Sequence, residues 1–219
     1  MTNSRGVRWF FFVMGMLFLT AVVARLFQPS DGLKLALLAW QQLLFVLGGV
    51  FGSSRRYFQP IKVKAAVKAL ACGFGIYVLN ILVGALVFVA AAHFLGKDAV
   101  QELMRGDRAG VEMLVRNTQP HIAYGAVILL LIGAPLGEEL FFRGLLVDLL
   151  RDRVGTIRAV FLGALLFALL HFYILQFVPV LISGVILGLL FVRSKNIFFP
   201  VIAHATVNTL ALAALLMSL

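Results

Sequence analysis

Residues 122–149 read IAYGAVILLLIGAPLGEELFFRGLLVDL. About 20 mostly apolar residues, rising ~1.5 Å each, cross the hydrocarbon core of a bilayer. The run is therefore a membrane span, yet Glu138, Glu139 and Arg143 stand in its second half. A charge at mid-membrane costs about 2.5–3.5 kcal/mol on insertion scales and more in simulations. Groups of that cost persist where they face one another or a wet cavity, which makes them the default functional site.

The pattern recurs twice further along. Phe167-Ala-Leu-Leu-His171 and His204-Ala-Thr-Val-Asn208 also place polar side chains in apolar runs. The whole chain is apolar: 62% of its 219 residues are hydrophobic, against about 45–50% in soluble domains. The mean hydropathy is +1.04. These values describe one integral membrane domain over residues 1–219, with no separate soluble part. The fold expected is all-α, a polytopic transmembrane helix bundle. Spans fall near 9–27, 35–52, 69–95, 122–149, 157–175, 178–193 and 197–217, about seven in all, with six to eight compatible with the pattern. The third and fourth are longer than a bilayer needs, so they tilt, kink or protrude.

The net charge of +10 does not indicate nucleic acid, because the basic residues lie between apolar runs rather than on one globular face. They set orientation instead. Arg5 and Arg8, then Arg55, Arg56, Lys62, Lys64 and Lys68, then Arg151, Arg153 and Arg158, then Arg193 and Lys195 fall in alternate loops. With seven spans these loops share one side, and the positive-inside rule makes it cytoplasmic. The N-terminus is then expected inside and the C-terminus outside. Residues 96–120 balance Lys97, Arg105, Arg108 and Arg116 with Asp98, Glu102, Asp107 and Glu112. Val100, Leu103 and Met104 suggest a short interfacial helix there, interrupted by Gly106 and Gly110, with a plain surface loop as the other reading. Residues 9–24, after two arginines, lack an A-x-A cleavage pattern and read as an uncleaved first helix. Cys72 is the single cysteine and forms no intrachain disulfide.

Helical rise puts Glu138 roughly 17–20 Å, His171 about 20 Å and Asn208 about 16 Å from the basic side, one layer across three spans. His204 and Asn208, four apart, share a helix face. Glu139 and Arg143 are also four apart, with the acid first, the favoured order for a pair. Glu138 points about 100° away. Glu139 is read as the partner of Arg143 and Glu138 as free to face a cavity, although the long arginine reaches either acid. Pro135 removes a backbone hydrogen bond just before the acids.

A carboxylate beside neutral imidazoles can act as a general base on water. Imidazole N–H and amide groups can stabilise an oxyanion. The same carboxylate with two histidines, Glu138, His171 and His204, is also a donor set for a divalent metal such as zinc. The residues leave the metal-free and metal-bound versions open. His93 and His121 lie at outer span ends and read as interfacial. Ser183-Gly184 with Gly188 reads as a helix-packing surface.

Glu-Glu-x-x-x-Arg, Phe-x-x-x-His and His-x-x-x-Asn, in that order on successive spans, resemble the CPBP family of intramembrane proteases. That family includes the type 2 CAAX prenyl endopeptidases and the bacteriocin-immunity (Abi) proteins. The resemblance covers about residues 122–217. It implies that Glu138 and His171 activate the attacking water, and that His204 and Asn208 form an oxyanion hole. Glu139, Arg143 and Phe167 would support them. It further implies an intramembrane endopeptidase acting on a membrane-associated protein or peptide; the compact, loop-poor form of the chain points to the bacterial inner (cytoplasmic) membrane. A metal-free glutamate mechanism is slightly favoured over a metal. The alternative is a non-catalytic immunity or scaffold protein, or a carrier, using the same buried polar site for binding.

Overall fold

The computed structural model describes residues 4–217, and every regular element among them is helical. The helices are α1 (Ser4–Phe27), α2 (Asp31–Gly52), α3 (Val63–Leu95), α4 (Lys97–Val115), α5 (Pro120–Val154), α6 (Thr156–Leu169), α7 (Phe177–Ser194) and α8 (Phe198–Met217). Six of them, all but α4 and α6, are long and apolar enough to cross a membrane.

The run that opened the sequence reading sits at the centre. Every residue of α5 from Gly137 to Val147 is buried, as expected of a helix enclosed on all sides. Phe141, Phe142 and Leu145 pack with Val13, Leu44, Phe45 and Phe167. The opposite flank, Leu140 and Val147, packs with Val160, Phe191 and Ile197. Close approach replaces a hydrophobic driving force between helices in lipid. At Gly49 of α2 an added Cβ would lie 2.6 Å from the Leu140 carbonyl carbon. At Gly73 of α3 it would run into the Ala203 carbonyl oxygen of α8. The outer faces carry the apolar side chains that lipid requires: Phe18, Leu82, Leu86 and Val89 are all more than half exposed.

Loop contacts sort the two ends of the bundle. At one end Ile197 N–H donates to the Tyr57 carbonyl at 3.0 Å. The Asn196 amide reaches Gln59 O at 2.8 Å, and Arg56 pairs with Asp148 at 3.1 Å. At the other end the Asn117 amide bonds Asp31 at 2.8 Å, and Arg116 bonds the Leu215 carbonyl at 3.1 Å. Asp107 of α4 there holds the turn 170–176. Helix α6 therefore starts at the first end and finishes at the second. Its 14 residues rise only about 21 Å, too short for a span by length, yet they make the seventh passage between the ends.

Two expectations are corrected. The span at 157–175 is helical only to Leu169, because Phe172 adopts a left-handed backbone (φ 55°) that no helix continues. His171 thus lies in a turn after α6 rather than inside it. The 96–120 segment is a continuous 19-residue helix through Gly106 and Gly110. Each glycine costs about 1 kcal/mol in a helix. Burial of Val100, Leu114 and Val115 on one side outweighs that cost.

Candidate active site

The site begins with the backbone of α5, which alternates α-helical and π-helical turns. The wide turns cover Leu129–Gly133 and Glu139–Val147. Such turns are rare and are often found at functional sites. Ala134 N–H bonds back five residues to Leu129 O. The next carbonyl in that register, Leu130, would need the N–H of residue 135, which proline lacks. The Asn208 side-chain amide fills that place at 2.9 Å. A freed carbonyl at membrane depth is tolerated when a neighbouring helix satisfies it, and here α8 does.

One turn on, Glu139 Oε1 accepts from Arg143 Nη1 and from His204 Nδ1, each at 2.9 Å. Glu139 and Arg143 are almost fully buried. Arg143 also donates to the Gly184 carbonyl of α7 at 3.1 Å, and its guanidinium lies over the Phe167 ring at 4.6 Å. One arginine so ties α5 to α6 and α7, while Glu139 ties α5 to α8. Because a carboxylate only accepts, His204 Nδ1 carries the proton. His204 Nε2 is turned toward Glu138, 3.9 Å from its Oε2. Glu138 is 8% exposed and makes no closer polar contact among the described residues.

Phe167 joins the second motif to the third. Its ring meets His171 edge-on at 4.5 Å and His204 at 6.0 Å. His171 Nδ1 donates to the Phe167 carbonyl at 2.7 Å, which leaves Nε2 as the free, proton-accepting nitrogen.

Three participants carried little or no sequence signal. The Tyr173 ring lies 5.5 Å from that of His171, tilted by 51°. Burial, then the charges of Glu138 and Asp107, hold its phenol above the ordinary tyrosine range. Asp107 belongs to a segment whose charges balance, so nothing singled it out. Gln42 had a signal: Gln41-Gln42 interrupts the second apolar run. Its side chain is buried, and a Cβ on Gly137 would lie 2.7 Å from its Oε1. That presses the Gln42 amide onto α5 one residue before Glu138.

The metal question was tested against the donors. Among the described residues no three His, Cys, Asp or Glu side chains gather closely enough to hold an ion. His204 Nδ1 is committed to Glu139, and the Phe167 ring stands beside both imidazoles. The set Glu138, His171 and His204 does not fit a metal in this arrangement.

Residues 120–210 match the family model described as type II CAAX prenyl endopeptidase Rce1-like. This segment is similar to that family over somewhat less than half of the chain. It runs from the first residue of α5 into α8 and contains all seven motif residues, Glu138, Glu139, Arg143, Phe167, His171, His204 and Asn208. The similarity points, at family level, to a CAAX-type intramembrane protease, here in a helical protein with six helices long and apolar enough to cross a membrane. No curated protein and no solved structure matches the chain.

Proposed function

We propose that this protein is an intramembrane endopeptidase that hydrolyses a peptide bond in a membrane-associated protein or peptide, using water activated by Glu138 and His171. One observation carries the reading. Three Rce1-like motifs from separate elements meet around Phe167, leaving the Glu138 carboxylate and the His171 Nε2 lone pair uncommitted. Among the described residues neither atom makes a hydrogen bond, the nearest polar group to Glu138 being His204 Nε2 at 3.9 Å, and their supports, Glu139 and Phe167, are buried.

The proposed step balances without a further reactant. Water oxygen attacks the carbonyl carbon of the scissile bond while its proton passes to Glu138, with His171 Nε2 accepting a hydrogen bond from the same water. The carbonyl oxygen becomes an oxyanion. His204 donates to it from Nε2 when the ring is doubly protonated. Asn208 has a second amide hydrogen beyond the one given to Leu130. The carbon–nitrogen bond then breaks, and the proton on Glu138 goes to the leaving amine. A positioned base contributes about 10²–10⁴-fold and one oxyanion donor about 10²–10³-fold. The glutamate route is favoured because Glu138, His171 and His204 do not gather as a donor set among the described residues.

The test compares membrane and secreted peptides of cells carrying wild type or Glu138→Gln. Glutamine keeps shape and hydrogen bonding but is no base. Peptides produced by wild type and missing from the variant, with the variant inserted at equal level, support hydrolysis. An unchanged peptide set with an intact cellular phenotype would favour the binding role of an immunity protein, scaffold or carrier.

A further inference from the structure

His171 depends on a turn that has few fastenings of its own. After Leu169, His171 N–H bonds Ala168 O and Phe172 N–H bonds Leu169 O. Phe172 (84% exposed) and Ile174 (64% exposed) point outward and pack on little. Beyond Tyr173, the N–H groups of Ile174, Leu175 and Gln176 all go to one side chain, Asp107 of α4, at 2.9, 3.0 and 3.0 Å. Asp107 sits in mid-helix, a position for which aspartate has poor propensity. Its two oxygens divide the work, Oδ1 to Ile174 and Oδ2 to Leu175 and Gln176. A carboxylate accepting several N–H groups makes strong, charge-assisted bonds.

We propose that Asp107 is a positioning residue for the site: its carboxylate, reaching from α4, fixes the 170–176 turn in the form that sets His171 edge-on to Phe167 and Tyr173 against His171. The inference rests on the hydrolytic reading above and adds α4, outside the matched segment, to the machinery. Loss of the carboxylate frees three adjacent N–H groups together, and the turn loses the anchor that follows Tyr173. His171 then no longer holds the Nδ1–H to Phe167 O bond that leaves Nε2 as the accepting nitrogen. A displacement of about 1 Å is enough to cost on the order of a hundredfold in rate.

The experiment uses the full-length protein in lipid nanodiscs, with Asp107→Asn, Asp107→Ala and Asp107→Glu. Amide hydrogen exchange of residues 170–176 and the ¹⁵N signal of the His171 ring report the turn without any substrate. Release of the peptides that distinguish wild type from Glu138→Gln reports activity. Expected for Asp107→Asn and Asp107→Ala are faster exchange confined to 170–176 and a His171 signal that loses its single-tautomer form. Peptide release should fall by about ten- to a hundredfold, with partial recovery in Asp107→Glu. Unchanged exchange, or faster exchange with undiminished peptide release, overturns the positioning role. If Glu138→Gln itself releases the wild-type peptides, the hydrolytic reading fails, while exchange and the His171 signal still decide whether Asp107 holds the turn. Exchange that rises across α7 and α8 as well would mark a general structural role and also overturn the proposal.

Discussion

Asn208 donates its side-chain amide to the Leu130 carbonyl at 2.9 Å, and Leu130 is the carbonyl that Pro135 leaves without an N–H. Residues from two helices, 78 positions apart, complete one backbone register. The third motif therefore has a structural task besides any part in catalysis.

That task predicts coupling between the two positions. Asn208→Ala should destabilise the protein by about 0.6–2 kcal/mol, the usual worth of an interhelical hydrogen bond in a membrane. In a Pro135→Ala background residue 135 has its own N–H for Leu130, so the same change should cost less. Thermal or denaturant unfolding in detergent of the four proteins measures the difference. Strict additivity would show that Asn208 does not serve the carbonyl freed by Pro135.

The two adjacent acids should separate by assay. Glu139→Gln leaves the Arg143 guanidinium buried without its counter-charge, and breaking a buried pair on one side costs about 3–5 kcal/mol. Glu138→Gln removes only the 3.9 Å approach to His204 Nε2 and should melt close to wild type while losing activity. Melting curves and peptide release on the same preparations test both. A Glu138→Gln protein as unstable as Glu139→Gln would mean that Glu138 is a strut as well. The double change Glu139→Gln with Arg143→Met should recover part of the loss, because no charge is then stranded.

A pH effect arises at the basic end, away from the site. Tyr57 is buried and donates to Asp148, and burial first, then that bond, push its phenol up to about 12. An unfolded tyrosine titrates near ~10. The folded value is the higher, so this contribution to stability is complete below about pH 10 and is lost as pH rises through about 12. Unfolding of wild type and Tyr57→Phe between those limits should show wild type falling more steeply. Parallel curves would remove the assignment.

Much of the site could be read from the sequence, for definite reasons. Glu138, Glu139, His204 and Asn208 stand out because lipid penalises polar groups, and helical phase alone separates the two acids. Phase failed to reveal that His204 would be held by Glu139, since the relative rotation of α5 and α8 depends on packing such as Gly73 against Ala203. It also failed at His171, because an apolar run does not show where a short helix stops. Asp107 and the π turns of α5 were invisible. The first acts through backbone N–H groups that any sequence supplies, and the second follows from Pro135 and Asn208 jointly. The fold class needed only composition and span length.

The number of passages decides the orientation, and here length and contacts give different counts. Six helices qualify by length, which would put both termini on one side. The contacts give seven passages, because α6 leaves from the Asp148 end and its following turn is held by Asp107 at the opposite end. The seven-passage arrangement gathers Arg55, Arg56, Arg151, Arg153, Arg193 and Lys195 at one end, opposed there by Asp148 and Asp152 alone. The other end carries Arg105, Arg108 and Arg116 among Glu102, Asp107 and Glu112. The positive-inside rule then puts the first end in the cytoplasm. A single cysteine introduced at Ser54 or Asn196, with Cys72 replaced, should react with an impermeant thiol reagent only from the cytoplasmic side. One introduced at Gln119 or Phe172 should react only from outside. Labelling of positions 119 and 172 from opposite sides would make α6 a helix that does not traverse, and the termini would then share a side.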